Sequence, residues 1–396
     1  MGGAQMLIRN KMLDLESRGW NVIIFYYFQG QIMIPEFKRF SGKYRIPELQ
    51  NVIFSYSKSK VKEVVNRMAS FVEGKTDIII ESDLFHLCFW GELLAREVKG
   101  IHLLYFVTED YKKINNAEWQ YLLFKQKRGE WVNHISIKKK IALNLDMIKE
   151  PDSYLKMPSY NNVLSSEKIS LNYDSSLPVI TSIGRLEKNY ILPMVEEIIR
   201  FVEVNNIRVN LFFVGGAEYD IFLVRIKDLL SKTDKVIPHF FGYLYPIPEN
   251  IIEVTDVAIA TSGSVKVPIL LDVPTISICV EDCMPLGVFG HTTNGCLFRN
   301  DEPIVSLSSI LTDIIINGKF KESIHYVEED SIKMFEDNSI LIKSLLVADR
   351  CYYDCFIVAS FLYRVKFYFL RIIFSFVRKV LNDKYRFYLK KIIGKA

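Results

Sequence analysis

Residues Val179–Gly216 constrain the fold of this chain more than any other stretch. They read as a buried apolar strand, Val179–Ile183, then Gly184-Arg185-Leu186-Glu187-Lys188, a helix, and a second buried strand, Val209–Val214, ending on Gly215-Gly216. Strands alternating with helices are the signature of a parallel sheet covered on both faces. A Gly-Arg-x-x-Lys run between strand and helix is expected to place two cations and free backbone N–H groups at a helix start, where an anion is stabilised. Paired glycines ending a second strand at the same sheet edge let a flat group such as a base or ribose approach the backbone. Together they predict a nucleoside diphosphate site.

The same alternation runs along most of the chain. In the first half it predicts a helix over Gln5–Arg18 closed by Gly19, strands at Val22–Phe28, Asp77–Glu81 and His102–Val107, and helices at Val61–Glu73 and Leu87–Val98, the latter stopped by Gly100. A strand leading into Gly2-Gly3 is expected at the front of such a fold and is missing from the sequence. Pro151–Ser176, rich in Ser, Asn, Tyr and Pro, reads as a linker. Beyond it helices are predicted at Ile191–Asn205, Tyr219–Ser231 and Glu249–Thr255, and strands at Val236–Phe241, Val257–Ala260 and Thr275–Val280. Pro285–Asn294, with small and polar residues, is expected to be a loop that closes over a donor. The expected domains are 1–165, 177–348, and a segment 349–396 that returns to the first domain.

At 396 residues the chain exceeds a single typical core, and 49% hydrophobic with 13% aromatic residues supplies packed interiors. The net charge of +4 is segregated: Arg350–Ala396 carries eleven Lys/Arg against Asp354 and Asp383, a net +9, which leaves the preceding residues at −5. A basic end with interleaved Phe and Leu is expected to lie on an anionic membrane surface through 364–396. Its longest uncharged run, Cys355–Tyr363, is too short for a spanning helix. Nucleic acid is the weaker partner, because the rest of the chain is acidic. Six cysteines without a secretory signal fit a cytoplasmic setting. The pairs Cys279/Cys283 and Cys351/Cys355 are spaced too loosely for structural zinc and read as core thiols.

No G-x-G-x-x-G, P-loop or Asp-x-Asp motif occurs, so a dinucleotide dehydrogenase, a P-loop NTPase and a transferase with that metal clamp are set aside. Four landmarks in order, Gly2-Gly3-Ala4-Gln5, Gly184-Arg185-Leu186-Glu187-Lys188, Phe213-Val214-Gly215-Gly216, and Phe241-Gly242 followed by Asp256-Val257 and Thr261-Ser262, resemble those of group 1 (retaining) glycosyltransferases of the GT-B fold. The resemblance implies two Rossmann-like domains facing a cleft. It also implies transfer of a hexose-like sugar from a nucleotide diphosphate donor to a lipid-linked saccharide, in surface polysaccharide biosynthesis at the inner face of the membrane. In such enzymes the first glycine loop, here Gly2 and Gly3, faces the donor phosphates, and the Arg and Lys, here Arg185 and Lys188, bind the diphosphate. An anionic leaving group departs more easily beside fixed positive charge. Neither a metal nor a cofactor is expected.

Two departures stand out. The Gly-Arg-Leu-x-x-Glu-Lys spacing is shortened by two residues, and the pair of glutamates eight positions apart after Ser262 is absent. Ser262 and Ser264 are expected to add phosphate contacts at a helix start, Gly215 and Gly216 to admit the donor, and Glu281 or Asp282 to supply a carboxylate for ribose or sugar. On the acceptor side the resemblance points just past a first-domain strand, to Glu109 or Asp110 after Val107, with Ser82-Asp83 after the strand ending at Glu81. Such a carboxylate orients or deprotonates an acceptor hydroxyl. His86 and His239 read as structural. The alternative is a non-catalytic GT-B-like sugar- or partner-binding protein that has lost the glutamate pair.

Overall fold

A computed structural model of the chain describes residues 3–27, 32, 34–107, 116–133, 163–217, 219–320, 322, 331–356, 365, 369, 372 and 373. Contacts divide it into two units, one of Lys11–Met157 and Asp330–Asn382, the other of Met1–Asn10, Pro158–Glu329 and Asp383–Ala396.

The first half supplies α1 (Gly3–Ser17), α2 (Lys58–Ala69), β1 (Ile79–Ser82), α3 (Cys88–Val98), β2 (Ile101–Leu104) and α4 (Asn116–Lys127). β1 and β2 pair in parallel, from Ile79 opposite Ile101 to Ser82 opposite Leu104. Ser57 caps α2 by accepting from the Lys60 N–H, and Val61, Val64, Val65 and Met68 form its buried stripe. That stripe packs with Phe54, Phe89, Trp90, Tyr121 and Trp131. In the described part of the strand predicted at Val22–Phe28, residues 22–27, there is one parallel bridge, Tyr26 to Arg45, because the opposing segment is flanked by the 3-10 turns Pro35–Phe40 and Pro47–Gln50. α3 stops on Lys99, whose φ of 52° is left-handed. Gly100 serves packing instead, since a Cβ there would lie 2.6 Å from the Ile78 carbonyl.

The second half contains β3 (Leu164–Ser165), β4 (Val179–Ile183), α5 (Ile191–Asn205), β5 (Val209–Val214), α6 (Asp220–Leu230), β6 (Val236–Gly242), β7 (Ile247–Pro248), α7 (Glu249–Glu253), β8 (Val257–Ala260), α8 (Lys266–Ile269), β9 (Thr275–Ile278), β10 (Pro285–Val288) and α9 (Leu307–Leu311). Six of these strands form one sheet in the order β10-β9-β8-β4-β5-β6, parallel except for β10. The chain winds outward from β4 through β5 and β6, then returns to the other side for β8 and β9. β4 is therefore the strand at which the order reverses. α5 buries Ile191, Met194, Val195, Ile198, Phe201 and Val202 against Ile180, Leu211, Phe213, Ile259 and Ile276. The latter part of the predicted linker is strapped to this unit: Asn250 exchanges hydrogen bonds with the Ile169 backbone, and Asn210 Nδ2 donates to the Asp174 carbonyl.

α10 (Ser331–Leu346) and the segment that follows belong to the unit that holds β1 and β2. The Tyr352 hydroxyl donates to the Gly100 carbonyl at 3.0 Å, and the Tyr353 N–H donates to Glu92 Oε1 at 2.8 Å. Glu92 is the centre of a buried network. Its Oε2 pairs with Lys125 Nζ at 2.6 Å and His102 Nδ1 at 2.9 Å, Lys125 also pairs with Glu130 at 2.7 Å, and Ser82 Oγ meets His102 Nε2 at 2.9 Å. Ser82, His102 and Glu92 thus have the connectivity of a hydrolytic triad. They cannot act as one, because the α3 backbone closes over them: a Cβ on Gly91 would lie 2.3 Å from His102 Nε2 and 2.5 Å from Ser82 Oγ.

Burial and the Lys125 charge hold His102 down at about 4, against the opposing pull of Glu92. Burial alone would raise Glu92, but its bonds from His102 and Lys125 bring it down to about 2. Both groups take up protons more readily in the unfolded chain, at 6.5 for His and 4.5 for Glu, so both make stability rise with pH. Thermal stability should fall as pH drops from 6.5 towards 4, through His102, and further below 4.5, through Glu92. A melting temperature that stays flat from pH 6.5 to 4 would contradict this assignment. Glu92→Ala removes one of the two carboxylate partners of Lys125 together with the acceptor for His102 and the Tyr353 N–H, and should cost about 3–5 kcal/mol in a denaturant titration.

Candidate functional site

In open α/β sheets ligands bind outside the carboxyl ends of the strands, at the point where strand order reverses. Here that point is the edge beyond β4 and β8. The loops reaching it are Gly184–Tyr190 after β4, Gly215-Gly216 after β5, Tyr243 after β6, Thr261–Ser264 after β8 and Cys279–Asp282 after β9. The sequence-predicted donor residues Arg185, Lys188, Gly215, Gly216, Ser262, Ser264, Glu281 and Asp282 all fall on this one edge.

The β4 loop differs from the expected helix start. α5 begins only at Ile191, and Gly184–Tyr190 is a run of turns in which the Gly184 N–H donates to Val214 O, Leu186 N–H to Gly216 O, and Lys188 N–H to Arg185 O. Those N–H groups are committed, so an anion at this loop meets side chains first. The Arg185 guanidinium is 46% exposed and bonds Glu187 Oε1 at 3.1 Å. Glu187 Oε2 is buried with no hydrogen-bond partner. Lys188 lies partly buried three residues on.

Gly215 and Gly216 have a packing role that sequence reasoning missed. A Cβ on Gly215 would sit 1.9 Å from the Gly184 carbonyl oxygen, and one on Gly216 would sit 2.4 Å from the Tyr243 ring. The close approach made possible by the first glycine is that of one loop backbone to another. The space beside the second holds an aromatic ring.

After β8, Ser262 takes a left-handed φ of 58°, uncommon for a residue with a side chain. Its N–H, expected to face a phosphate, donates instead to the Cys296 carbonyl. Ser262–Val265 is a 3-10 turn running into the four-residue α8, so the serines do not open a long helix. The Ser262 and Ser264 side chains remain partly accessible. Asp282 is also committed. Burial would raise its carboxyl, but Arg299 Nε at 2.9 Å and the Met284 N–H at 2.8 Å outweigh that and hold it below the ordinary range. Arg299 further donates to the carbonyls of Pro285, Glu302 and Pro303, so Asp282 anchors a loop. Glu281 is exposed beside it.

Pro285–Asn294 is not a lid. Pro285–Val288 is the buried antiparallel strand β10, and a tight turn with Phe289 bridged to Thr293 follows. Gly287 is required there, since a Cβ would lie 2.4 Å from Thr292 Oγ1. His239 points to Asn210 Oδ1 at 3.2 Å, as a structural residue does. Gly3 opens α1, while Gly2, Glu109 and Asp110 lie outside the described residues. Among the described residues no group of three or more His, Cys, Asp or Glu is arranged to hold a metal ion.

No protein-family model matches the sequence, and no curated protein matches it significantly. Solved structures do match. A glycosyltransferase from Rickettsia africae superimposes with a TM-score of 0.60 at 15% identity, over 88% of this chain and 95% of that one. HepE from Anabaena, in complex with UDP and glucose, gives 0.55 at 14% identity, over 87% and 96%. The lipopolysaccharide outer core galactosyltransferase WaaB gives 0.50 at 14% identity, over 87% and 96%. The chain therefore has the GT-B fold of these glycosyltransferases, an α/β fold of two Rossmann-like domains.

The steric roles of the two glycines are testable by stability. Gly215→Ala drives a methyl group into backbone and should cost about 1–3 kcal/mol, or more if the loop cannot shift. Gly216→Ala meets only the rotatable Tyr243 ring and should cost less. Denaturant midpoints of the two variants check this order, and the reverse order would reject the packing account.

Proposed function

We propose that this protein is a glycosyltransferase that moves a sugar from a nucleotide diphosphate donor to a saccharide acceptor. The observation that carries the reading is the convergence of Arg185, Lys188 and the two serine side chains on the carboxyl edge at the order reversal of a GT-B donor sheet. Arg185 and Lys188 meet the charge of the diphosphate and stabilise its departure without a metal, and Ser262 and Ser264 offer hydroxyls to it. Gly2 and Gly3 face the same phosphates, and Glu281, exposed at the same edge, contacts ribose or sugar. Glu109 and Asp110 stand on the acceptor side. Neighbours of the fold include a protein solved with UDP and glucose and a lipopolysaccharide galactosyltransferase, which supports a uridine nucleotide donor and a surface polysaccharide product. Retention of anomeric configuration, a hexose donor and a lipid-linked acceptor complete the reading.

The acceptor's lipid places the enzyme at the inner face of the membrane. No described helix is long and apolar enough to cross one. Phe369, Ile372 and Ile373 are exposed at the i, i+3, i+4 spacing of one helical face, in a stretch that also carries Arg364, Lys366, Arg371 and Arg378. Such a face binds anionic lipid by burying its apolar side chains beneath basic ones. The second reading, a sugar- or partner-binding protein without turnover, is favoured by one observation: the Ser262 N–H and Asp282 are already satisfied within the chain.

Incubation with a panel of nucleotide sugars, followed by assay of released nucleoside diphosphate, separates the two. Release marks the transferase, and tight nucleotide binding without release from any donor marks the binder. Arg185→Ala should weaken UDP binding by about 10- to 100-fold, the worth of one or two charge-assisted hydrogen bonds. Unchanged affinity, read by calorimetry, would remove Arg185 from the site. A chain ending at Phe356, which keeps the Tyr352 and Tyr353 contacts, should no longer float with anionic liposomes. Equal flotation of both chains would rule out the membrane role of 364–396.

A further inference from the structure

We propose that Glu187 is an internal anion that holds the Arg185 guanidinium between turnovers and competes with the diphosphate for it, so that the nucleoside diphosphate product is released faster. The proposal rests on the transferase reading above and adds a positioning residue to its site. Arg185 Nη1 donates to Glu187 Oε1 at 3.1 Å, and among the described residues Glu187 is the anion that the guanidinium meets. The guanidinium is 46% exposed and the carboxylate 16%. The pair straddles Leu186, which is buried and whose N–H donates to Gly216 O at 2.9 Å, and the Lys188 N–H closes the turn on Arg185 O at 3.2 Å. The backbone that carries both charges is therefore fixed, and the side chains are what can change partner.

The contact is only half made. Arginine and carboxylate bind best through two parallel N–H···O bonds, and here one is formed. The other carboxylate oxygen, Glu187 Oε2, is buried with no hydrogen-bond partner. The Ser182 hydroxyl on β4, just before the same loop, is also buried and without a partner. Buried polar atoms left unsatisfied are rare in folded proteins and store strain. Two of them at the loop that carries Arg185 mark an arrangement that is easily given up when a better partner arrives.

A diphosphate is that partner, because it offers the guanidinium several oxygens that accept in fork geometry, at higher charge than a carboxylate. Binding then exchanges one anion for another. Once the sugar has moved, the terminal phosphate has lost an ester bond and carries more negative charge than it did in the donor, so fixed cations alone would hold the product more tightly than the substrate. Glu187, tethered two residues from Arg185, returns to it at high effective concentration and shortens the product's stay. Product release sets the turnover of many enzymes, and this pair acts on that step.

The test uses the full chain, with UDP and uridine binding read by calorimetry. Glu187→Gln removes the charge, and Glu187→Asp keeps it but draws it back by one methylene. Both should tighten UDP by about 2- to 5-fold, the worth of an exposed ion pair, and leave uridine affinity unchanged. Neither should alter UDP affinity in the Arg185→Ala background, where there is no guanidinium to compete for. With UDP-glucose and related donors, both should deepen product inhibition by UDP by the same factor. Weaker UDP binding by Glu187→Gln would make Glu187 a ligand or a prop of the loop. Wild-type affinity in Glu187→Asp would leave only a distant charge effect, and an effect that survives Arg185→Ala would assign Glu187 another partner. Each of these three overturns the inference and leaves the transferase reading standing. No release from any donor by the wild-type chain overturns the transferase reading, and the inference with it.

Discussion

β4 is hydrogen-bonded in parallel to β5 on one side and to β8 on the other, and the candidate site depends on that pairing. Because all three strands run the same way, their carboxyl ends share an edge, and because the winding reverses at β4, the covering helices part above it. The loops at that edge hold one another by backbone contacts rather than by side chains. Gly215 presses against the Gly184 carbonyl, the Leu186 N–H donates to Gly216 O, and the Ser262 N–H donates to Cys296 O. The side chains carried by this edge include a guanidinium, an ammonium and two hydroxyls.

The unit with β1 and β2 is organised by a different interaction. Glu92, Lys125 and Glu130 bury their charges together around the neutral His102 imidazole, and each is satisfied by the others or by backbone. A network of this kind is costly to break and is specific about what it contacts. One of its bonds comes from Tyr353, more than two hundred residues away in sequence, so the segment after α10 is part of this unit's interior rather than an appendage. Asp83, two strand positions from Glu81, lacks such compensation, and the contrast between the two buried acids is physical. Glu92 is brought down by His102 and Lys125 at hydrogen-bond distance. Asp83 is pushed up chiefly by burial and then by the neighbouring Glu81 charge.

Much of the fold was legible in sequence because burial on both faces leaves continuous apolar runs. Val179–Ile183, Val209–Val214 and Val257–Ala260 are strands at the predicted bounds, and α5 spans Ile191–Asn205 as the 3.6-residue spacing of its apolar residues requires. The misses share a cause. Pro285–Val288 looked like loop because its Pro and Gly carry no strand propensity, yet as an edge strand it needs only half of its backbone groups paired. Val22–Phe28 looked like strand but found little backbone to pair with. The reading of Asp282 as a sugar ligand failed to foresee Arg299, seventeen residues on, which nothing local announces.

The sequence by itself determined the alternation of helices and strands, the parallel character of the sheet and the positions of Arg185 and Lys188 just past a strand, because each follows from local periodicity and from residue type. Only the tertiary structure decided which polar groups are spent on the fold and which are left over. Whether a carboxylate such as Asp282, Glu92 or Asp83 is paired depends on cations brought in from distant segments, and whether Gly215 serves a ligand or a neighbouring backbone depends on how closely two loops meet. Those are long-range distances, and the local pattern of a chain does not encode them one residue at a time.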